Sequence, residues 1–216
     1  RLKKIYERNI FFIKKKDIEQ PLNKVNFLDK IEVKKKYPNT IIIKIFETIP
    51  VGILYKEKVK YFLDSSSNLV IYNAAVRVSG GITELDPEQT QKAIDVTCYG
   101  AFLVAQESAR RMLKRRSGSI FFTGATAGIK GFAKSSVFAM GKFGLRGLAQ
   151  SLARELHPQN IHIGHFVIDG AIGKKPFGDY QTIHPDSISK TYLEFYNQDK
   201  SAWSWEVELR TSVEKF

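Results

Sequence analysis

The sequence predicts an α/β fold built on a doubly wound parallel sheet. Short apolar segments, rich in β-branched and aromatic residues, alternate with longer segments of helical periodicity. The segments that follow three of these strands, 73–75, 124–128 and 169–170, consist of small or polar residues. Strands separated by crossover helices form a parallel sheet covered on both faces, and ligands bind beyond the carboxyl ends of its strands.

Six segments have the composition or the alternation that is typical of strands. They cover residues 9–13, 40–46, 68–72, 119–123, 161–168 and 203–210. In the last of them tryptophan, valine and leucine alternate with polar residues, which indicates a strand with two different faces.

Helical periodicity marks the segments between these strands. The best-defined helix start is Asp86-Pro87, because aspartate caps a first turn well and proline suits the first helical position. The predicted helices span 86–114, 136–156 and 188–196, residues 57–63 are helix-like, and Val25, Leu28 and Ile31 have helical spacing. No repeat or low-complexity linker divides the chain, so we expect a single domain over residues 1–216.

The composition restricts the class of protein. The chain has 216 residues, of which 43% are hydrophobic and 26% charged, which is ordinary for a folded protein without a membrane span. Its single cysteine, Cys98, excludes an internal disulfide and favours a reducing, cytoplasmic location. The net charge is +12, and residues 1–60 hold 16 Lys/Arg against 7 Asp/Glu. This basic segment leaves a binder of anions or nucleic acid as an open alternative. No nucleic-acid-binding motif accompanies it, so we do not expect nucleic acid as a partner.

Four segments, taken in order, resemble the short-chain dehydrogenase/reductase family. They are Ile71-Tyr-Asn-Ala-Ala75, the loop-bearing stretch 118–128, Phe138-Ala-Met-Gly-Lys142, and 161–170. The resemblance implies a Rossmann-like fold and an oxidoreductase that moves a hydride between NAD or NADP and an alcohol or carbonyl substrate. It also implies a homodimer or homotetramer formed through the helices 86–114 and 136–157. No metal site is expected.

The family's catalytic residues are only partly present. Lys142 matches the family lysine, whereas Phe138 occupies the tyrosine position, Ala125 the serine position and Thr97 the asparagine position. A phenol beside an ammonium trades protons near neutral pH, and a serine hydroxyl steadies the substrate oxygen, so both changes should weaken the standard chemistry. Replacement hydroxyls are available nearby, first Thr126, then Thr123, Ser135, Ser136 and Tyr99.

The resemblance also implies a set of cofactor contacts. The expected residues are Asn73, Ala74, Ala75, Lys142, Asp169, Gly170 and Ile172. If residues 1–8 end a first crossover helix and 9–13 form the second strand, Lys14 and Lys15 lie where the adenosine ribose is read, which favours NADP over NAD. On that alignment Glu47 would contact the adenine.

No glycine-rich turn for the pyrophosphate occurs in the chain, since its first glycine is Gly52. We therefore expect a sheet that lacks its first strand and this turn, in a domain that is incomplete at its amino end. A second interpretation is a catalytically inactive scaffold or dimerisation protein, for which Phe138, Ala125 and Thr97 are the motive. A Phe138→Tyr, Ala125→Ser double variant separates the two interpretations.

Overall fold

A computed structural model describes residues 9–22, 28–47, 50–56, 59–64, 69–176 and 181–213. The helices are α1 (Lys15–Leu22), α2 (Pro87–Ile94), α3 (Gly100–Arg115), α4 (Ser136–Leu156) and α5 (Pro185–Tyr196). The strands are β1 (Leu28–Lys36), β2 (Thr40–Glu47), β3 (Pro50–Lys56), β4 (Val59–Asp64), β5 (Leu69–Tyr72), β6 (Gly118–Thr123), β7 (Ile161–Asp169) and β8 (Glu206–Arg210).

The last four strands form one parallel sheet in the order β5-β6-β7-β8. Helices α3 and α4 cover one face, where Met112 and Leu145 pack against Ile120 and Phe122. Helix α5 covers the other face, where Phe195 packs with Phe121 and Phe166. The parallel α/β prediction is thus confirmed, and so are the strands and helices predicted from residue 68 onward.

The burial of side chains explains why the strands and helices in this part of the chain could be predicted from the sequence. All nine residues of β7 are buried, as expected for a central parallel strand covered on both faces. Along α4 the buried positions recur every three or four residues, at Phe138, Lys142, Leu145, Ala149 and Ala153. Removing a fully buried leucine such as Leu145 would cost roughly 2–5 kcal/mol.

Between α2 and α3 the predicted long helix widens into one π-helical turn, Asp95–Tyr99. The Tyr72 hydroxyl, at the end of β5, donates a hydrogen bond to the Val96 carbonyl in this turn. A Cβ on Gly100 would lie 2.5 Å from that hydroxyl, so only glycine lets the ring approach the helix. The helix cap is as predicted, with Asp86 accepting a hydrogen bond from the backbone N–H of Glu88.

The amino-terminal elements do not extend the parallel sheet. Strands β1 and β2 pair with each other as an antiparallel hairpin, and so do β3 and β4. Helix α1 packs on the first hairpin through Ile18, which is 1% exposed, and Leu22. Of the predicted elements only the strand at 40–46 is confirmed here, and its partner is β1 rather than a strand of the parallel sheet.

Three element predictions in this region are wrong. The expected strand at 9–13 is a 3₁₀ turn, Ile10–Phe12, whose entry is capped by Asn9. The expected helix through Leu28 and Ile31 is the strand β1, because Ile31 and Val33 alternate in facing α1. The helix-like segment 57–63 contains the strand β4. Residues 1–8, taken as the end of a crossover helix, lie outside the described residues, and the single-domain division stays a prediction.

Candidate active site

Lys142 lies at the carboxyl edge of the parallel sheet. It projects from the second turn of α4, and its Nζ donates a hydrogen bond of 2.6 Å to the carbonyl of Thr123, the last residue of β6. The side chain is 3% exposed, and among the described residues no carboxylate pairs with it. Because burial penalises the charged form, it lowers the pKa of Lys142 to about 8.

Phe138 lies one helical turn before Lys142, with the Lys142 Nζ 5.7 Å from the centroid of its ring. A second cation, the guanidinium of Arg77, lies 4.6 Å from the same centroid. Arg77 belongs to the loop that follows β5, and nothing in the sequence motifs pointed to it. The phenyl ring at the family's tyrosine position is therefore flanked by two cations.

The loop after β6 brings Ala125 and Thr126 to the same edge. Ala125 is extended, and the Thr126 hydroxyl donates a hydrogen bond to the Asp169 carboxylate at the end of β7. Asp169 is buried and also pairs with Arg210 of β8, with 3.2 Å between Oδ2 and Nη2. The proton of Thr126 thus points to Asp169, so its hydroxyl can accept a hydrogen bond from a substrate but does not donate one.

Thr97 has a structural contact in this fold. Its side chain is 1% exposed, and its Oγ1 accepts a 3.0 Å hydrogen bond from the backbone N–H of Val76. This bond ties the loop after β5 to the π turn between α2 and α3. It thereby helps hold Arg77, the next residue in that loop, above Phe138.

A partly buried ionic group near Lys142 was not predicted from the sequence. The Nδ1 of His165 donates to Glu206 Oε2 at 2.9 Å, and Glu206 accepts two hydrogen bonds of 2.7 Å from Arg146. His165 is fully buried, and among the described atoms its Nε2 has no hydrogen-bond partner. Burial lowers the pKa of His165, although the Glu206 carboxylate acts in the opposite direction. The group connects β7, β8 and α4.

The other replacement hydroxyls have local roles. Thr123 Oγ1 lies 2.7 Å from the hydroxyl of Tyr192, whose pKa is raised by burial. Ser135 precedes α4 without capping it through its side chain, and Ser136 begins that helix. Tyr99 is 54% exposed and stacks on Phe102. No described contact gives any of these residues a role in catalysis.

The predicted cofactor residues fall into two places. Those that follow β5 and β7 share the carboxyl edge with Lys142, with Asn73, Ala75, Gly170 and Ile172 exposed, Ala74 half-buried and Asp169 buried. Lys15 is instead the first residue of α1, and Lys14 precedes it. The strand on which the role of Lys14 and Lys15 depended is absent, so their assignment stays a prediction, as does that of Glu47, whose side chain lies outside the described atoms.

The family model described as short chain dehydrogenase matches residues 58–170, just over half of the chain. The chain belongs to this family. The matched range contains all of β5, β6, α4 and β7, together with Lys142. A second family model, described as a POTRA domain of FtsQ type, matches residues 1–48.

Relatives of the family include known reductases and dehydrogenases. The chain is 31% identical over 93 residues to the 3-oxoacyl-[acyl-carrier-protein] reductase MabA of Mycobacterium tuberculosis, which covers 43% of this chain and 38% of that protein. A short-chain dehydrogenase structure from Rhodopseudomonas palustris is 39% identical, with a TM-score of 0.59, and covers 67% of this chain and 62% of that one. The chain thus spans less than two thirds of either relative.

Two more distant structures share the fold. A metagenomic short-chain oxidoreductase in complex with NADP is 23% identical, with a TM-score of 0.57, and covers 68% of this chain and 62% of that one. A 4-hydroxyisoleucine dehydrogenase complexed with NADH is 20% identical, with a TM-score of 0.58, and covers 68% and 70% of the two chains.

The described residues contain neither a helix suited to crossing a membrane nor a cluster of metal ligands. No helix among them combines the length and the apolar character that a membrane crossing requires. The same residues contain no group of three or more His, Cys, Asp or Glu side chains that could hold a metal ion. His162 and His165 lie on opposite faces of the sheet, the first against Phe195 and the second against Glu206.

Gly124 is needed for the position of His165. A Cβ on Gly124 would lie 2.5 Å from the Nε2 of His165 and 3.1 Å from the Phe166 carbonyl oxygen. We expect Gly124→Ala to lower the free energy of unfolding by about 1–3 kcal/mol, because the packed ring must shift. Gly147→Ala is the matched control, since nothing lies within 4 Å of its Cβ position in α4. That helical substitution should stabilise by about 0.5–1 kcal/mol, and denaturant titrations that rank the two variants alike would contradict this packing.

His162 makes stability depend on pH. Its ring is 1% exposed and lies between Trp203 and Phe195, with centroid separations of 4.6 Å and 5.1 Å. Burial lowers its pKa from 6.5 to about 4, so the unfolded chain binds a proton at a higher pH than the folded chain. The stabilisation is complete above the unfolded pKa and is lost as the pH falls through this range, by about 3 kcal/mol in total.

The variant His162→Phe removes this titration and keeps an aromatic ring in the stack. Between neutral pH and about pH 4, the wild-type free energy of unfolding should therefore fall by about 3 kcal/mol more than that of the variant. Denaturant titrations at several pH values measure the difference. Parallel losses in the two proteins would show that His162 is not buried as a neutral ring.

Proposed function

We propose that this chain is an oxidoreductase that uses NAD or NADP and acts on an alcohol or carbonyl substrate. The observation that carries the proposal is the buried amine of Lys142 at the carboxyl edge of the sheet, held by the Thr123 carbonyl. This is the edge at which open α/β sheets bind their ligands. The family's reductases and dehydrogenases support the same class of reaction.

The described residues fit the nicotinamide half of such a cofactor. Around Lys142 the edge exposes the small residues Ala75 and Gly170 and the apolar side chain of Ile172, which is 57% exposed. A flat ring could cover this surface while the Lys142 amine holds a ribose hydroxyl. The expected preference for NADP over NAD depends on Lys14 and Lys15. No described contact at the carboxyl edge supports a role for these two lysines.

When bound, a nicotinamide supplies or accepts the hydride. The substrate oxygen then needs a group that exchanges a proton with it, and Phe138 and Ala125 have none to exchange. Lys142 is the remaining candidate, because an amine with a pKa of about 8 gives and takes protons near neutral pH. We therefore assign proton exchange, as well as cofactor positioning, to Lys142.

The test is the oxidation of NADPH and of NADH by the purified chain with a panel of aldehydes and ketones. The variant Lys142→Met should lower kcat/KM by about 10²-fold or more, since it removes the proton-exchanging group. Lys190→Met is the control, because Lys190 is an exposed lysine of α5. Turnover that survives Lys142→Met unchanged, or no turnover of any carbonyl, would contradict the proposal.

A catalytically inactive scaffold is the second candidate function. Two features favour it. The phenyl ring at position 138 has no hydroxyl to exchange a proton, and the Thr97 oxygen already accepts a hydrogen bond from the backbone N–H of Val76. Such a protein would keep the fold and its helix surfaces without reacting. The double variant discussed below distinguishes it from an enzyme.

We also propose a homo-oligomer formed through α3 and α4. Both helices expose large apolar side chains, with Phe102 and Leu103 on α3 and Met140 and Phe143 on α4 all at least 41% exposed. We expect Phe143→Glu to reduce the molar mass measured by light scattering to that of a monomer. Leu193→Glu, on α5 and 60% exposed, is the matched control and should change nothing. A wild-type protein that is already monomeric would contradict the proposal.

A further inference from the structure

The cationic surroundings of Phe138 carry information about the substrate. Within the described part of the chain, the exposed guanidinium of Arg77 has no hydrogen-bond or ion-pair partner, and its contact is the face of the Phe138 ring. A guanidinium over the face of an aromatic ring is attracted to that face, while its N–H groups stay available to a ligand. Arg77 is therefore placed over Phe138, with its N–H donors exposed to solvent.

Neither Asp169, which is buried at this edge, nor Glu206, the partly buried first residue of β8, neutralises Arg77. The Asp169 carboxylate is already bonded to Thr126 and Arg210, and Glu206 is bonded to Arg146 and His165. Lys142, the other cation beside Phe138, has a carbonyl as its partner instead of a carboxylate. The site thus presents two cations on one ring with no described counter-ion.

The two cations are close enough to act on one small molecule. Both are measured from the centroid of Phe138, so the Arg77 Cζ and the Lys142 Nζ lie no more than about 10 Å apart. We propose that Arg77 binds the carboxylate of an oxo acid, or of the matching hydroxy acid, whose carbonyl or hydroxyl group then lies beside Phe138 and Lys142. A planar guanidinium can hold both oxygens of a carboxylate, which orients the substrate at its acidic end.

This inference rests on the proposed oxidoreductase function and names its substrate class. Its test compares acetoacetate with methyl acetoacetate, which has the same carbonyl without the charge. The wild-type chain should prefer the acid, both in kcat/KM with NADPH and in binding measured by NMR without cofactor. The variant Arg77→Met should reduce binding and kcat/KM for the acid by roughly 10- to 100-fold and leave the ester unchanged.

Two controls accompany this comparison. Arg154→Met, in the last turn of α4, removes an exposed arginine far along the helix from Phe138 and should have no effect. Thermal unfolding of Arg77→Met checks that the loop after β5 still folds. Arg77→Lys should restore the preference in part, because it keeps the charge but not the planar pair of donors.

The outcomes separate the two proposals. Equal turnover of acid and ester, or equal losses for both in Arg77→Met, would overturn the role of Arg77 and leave the oxidoreductase function standing. Binding that prefers the acid and depends on Arg77, without turnover of either compound or of any carbonyl in the panel, would support the acid site and contradict the oxidoreductase function. If the wild-type chain neither binds the acid nor turns it over, the proposed acid site is wrong.

Discussion

Replacing Glu206 by alanine should lower the free energy of unfolding by about 3 kcal/mol, because a partly buried ionic group loses its anion. The Glu206 carboxylate accepts two hydrogen bonds from Arg146 and one from His165, and its side chain is 18% exposed. Without it, the Arg146 charge remains unpaired beside a fully buried imidazole that has no partner at either nitrogen. Denaturant titration measures the loss.

Glu107→Ala is the matched control for this prediction. Glu107 forms ion pairs with Arg110 and Arg111 on the surface of α3, and its side chain is 52% exposed. Exposed pairs of this kind contribute roughly 0.2–1 kcal/mol. Equal losses for the two variants would show that Glu206 is no more than a surface ion pair. A double-mutant cycle with Arg146→Met should give a coupling energy of the size that contacting residues show, about 0.5–3 kcal/mol.

The double variant Phe138→Tyr, Ala125→Ser should raise carbonyl reduction by about 10²-fold or more. It restores a phenol between the Arg77 and Lys142 cations, which favour its ionised form, and a hydroxyl at the start of the loop after β6. The two gains need not multiply, since such residues act together. The rate of NADPH oxidation with a ketone measures the effect.

Phe143→Tyr controls for the chemical change at Phe138, because it adds the same hydroxyl to an exposed ring on the same helix. It should leave the rate unchanged. If the double variant is folded and binds the cofactor but shows no increase in rate, restoring the two hydroxyls does not restore catalysis. That result would favour the inactive scaffold over the enzyme.

The elements of the carboxy-terminal part of the fold could be predicted because the sequence pattern of each one is typical of a single kind of secondary structure. β7 is apolar along its length because both of its faces are covered, and α4 repeats its buried positions at helical spacing. The sequence did not predict the break between α2 and α3. The π turn that separates them accepts a hydrogen bond from the Tyr72 hydroxyl, which belongs to a strand more than twenty residues earlier.

The amino-terminal elements were misread for a physical reason. Ile10, Phe11 and Phe12 have strand composition, but the Asn9 side chain caps a tight 3₁₀ turn instead. In β1 the lysines hide the period-two pattern, which appears only when β2 and α1 cover Ile31 and Val33. Because we expected these segments to be consecutive elements of a parallel α/β sheet, we assigned 9–13 to a strand of that sheet and the segment through Ile31 to a helix.

For the site, local motifs were sufficient for Lys142, Phe138 and the loop after β6, since these lie within one strand–loop–helix unit. They were insufficient for His165 with Glu206, which lie 41 residues apart and meet because β7 and β8 pair in parallel. Arg77 was missed for the same reason, because its contact with Phe138 joins the loop after β5 to helix α4. Pairings of this kind have no signature in sequence spacing.

Calorimetric titration of the purified chain with NADPH and NADH is the most direct test of a nicotinamide site at the carboxyl edge of β5–β8. We expect saturable binding of at least one of them, weakened about 10-fold or more by Lys142→Met, since a buried cation that holds the ribose is lost. Lys190→Met should bind as tightly as the wild type. Absence of binding to both dinucleotides, or binding that Lys142→Met leaves unchanged, would contradict the account.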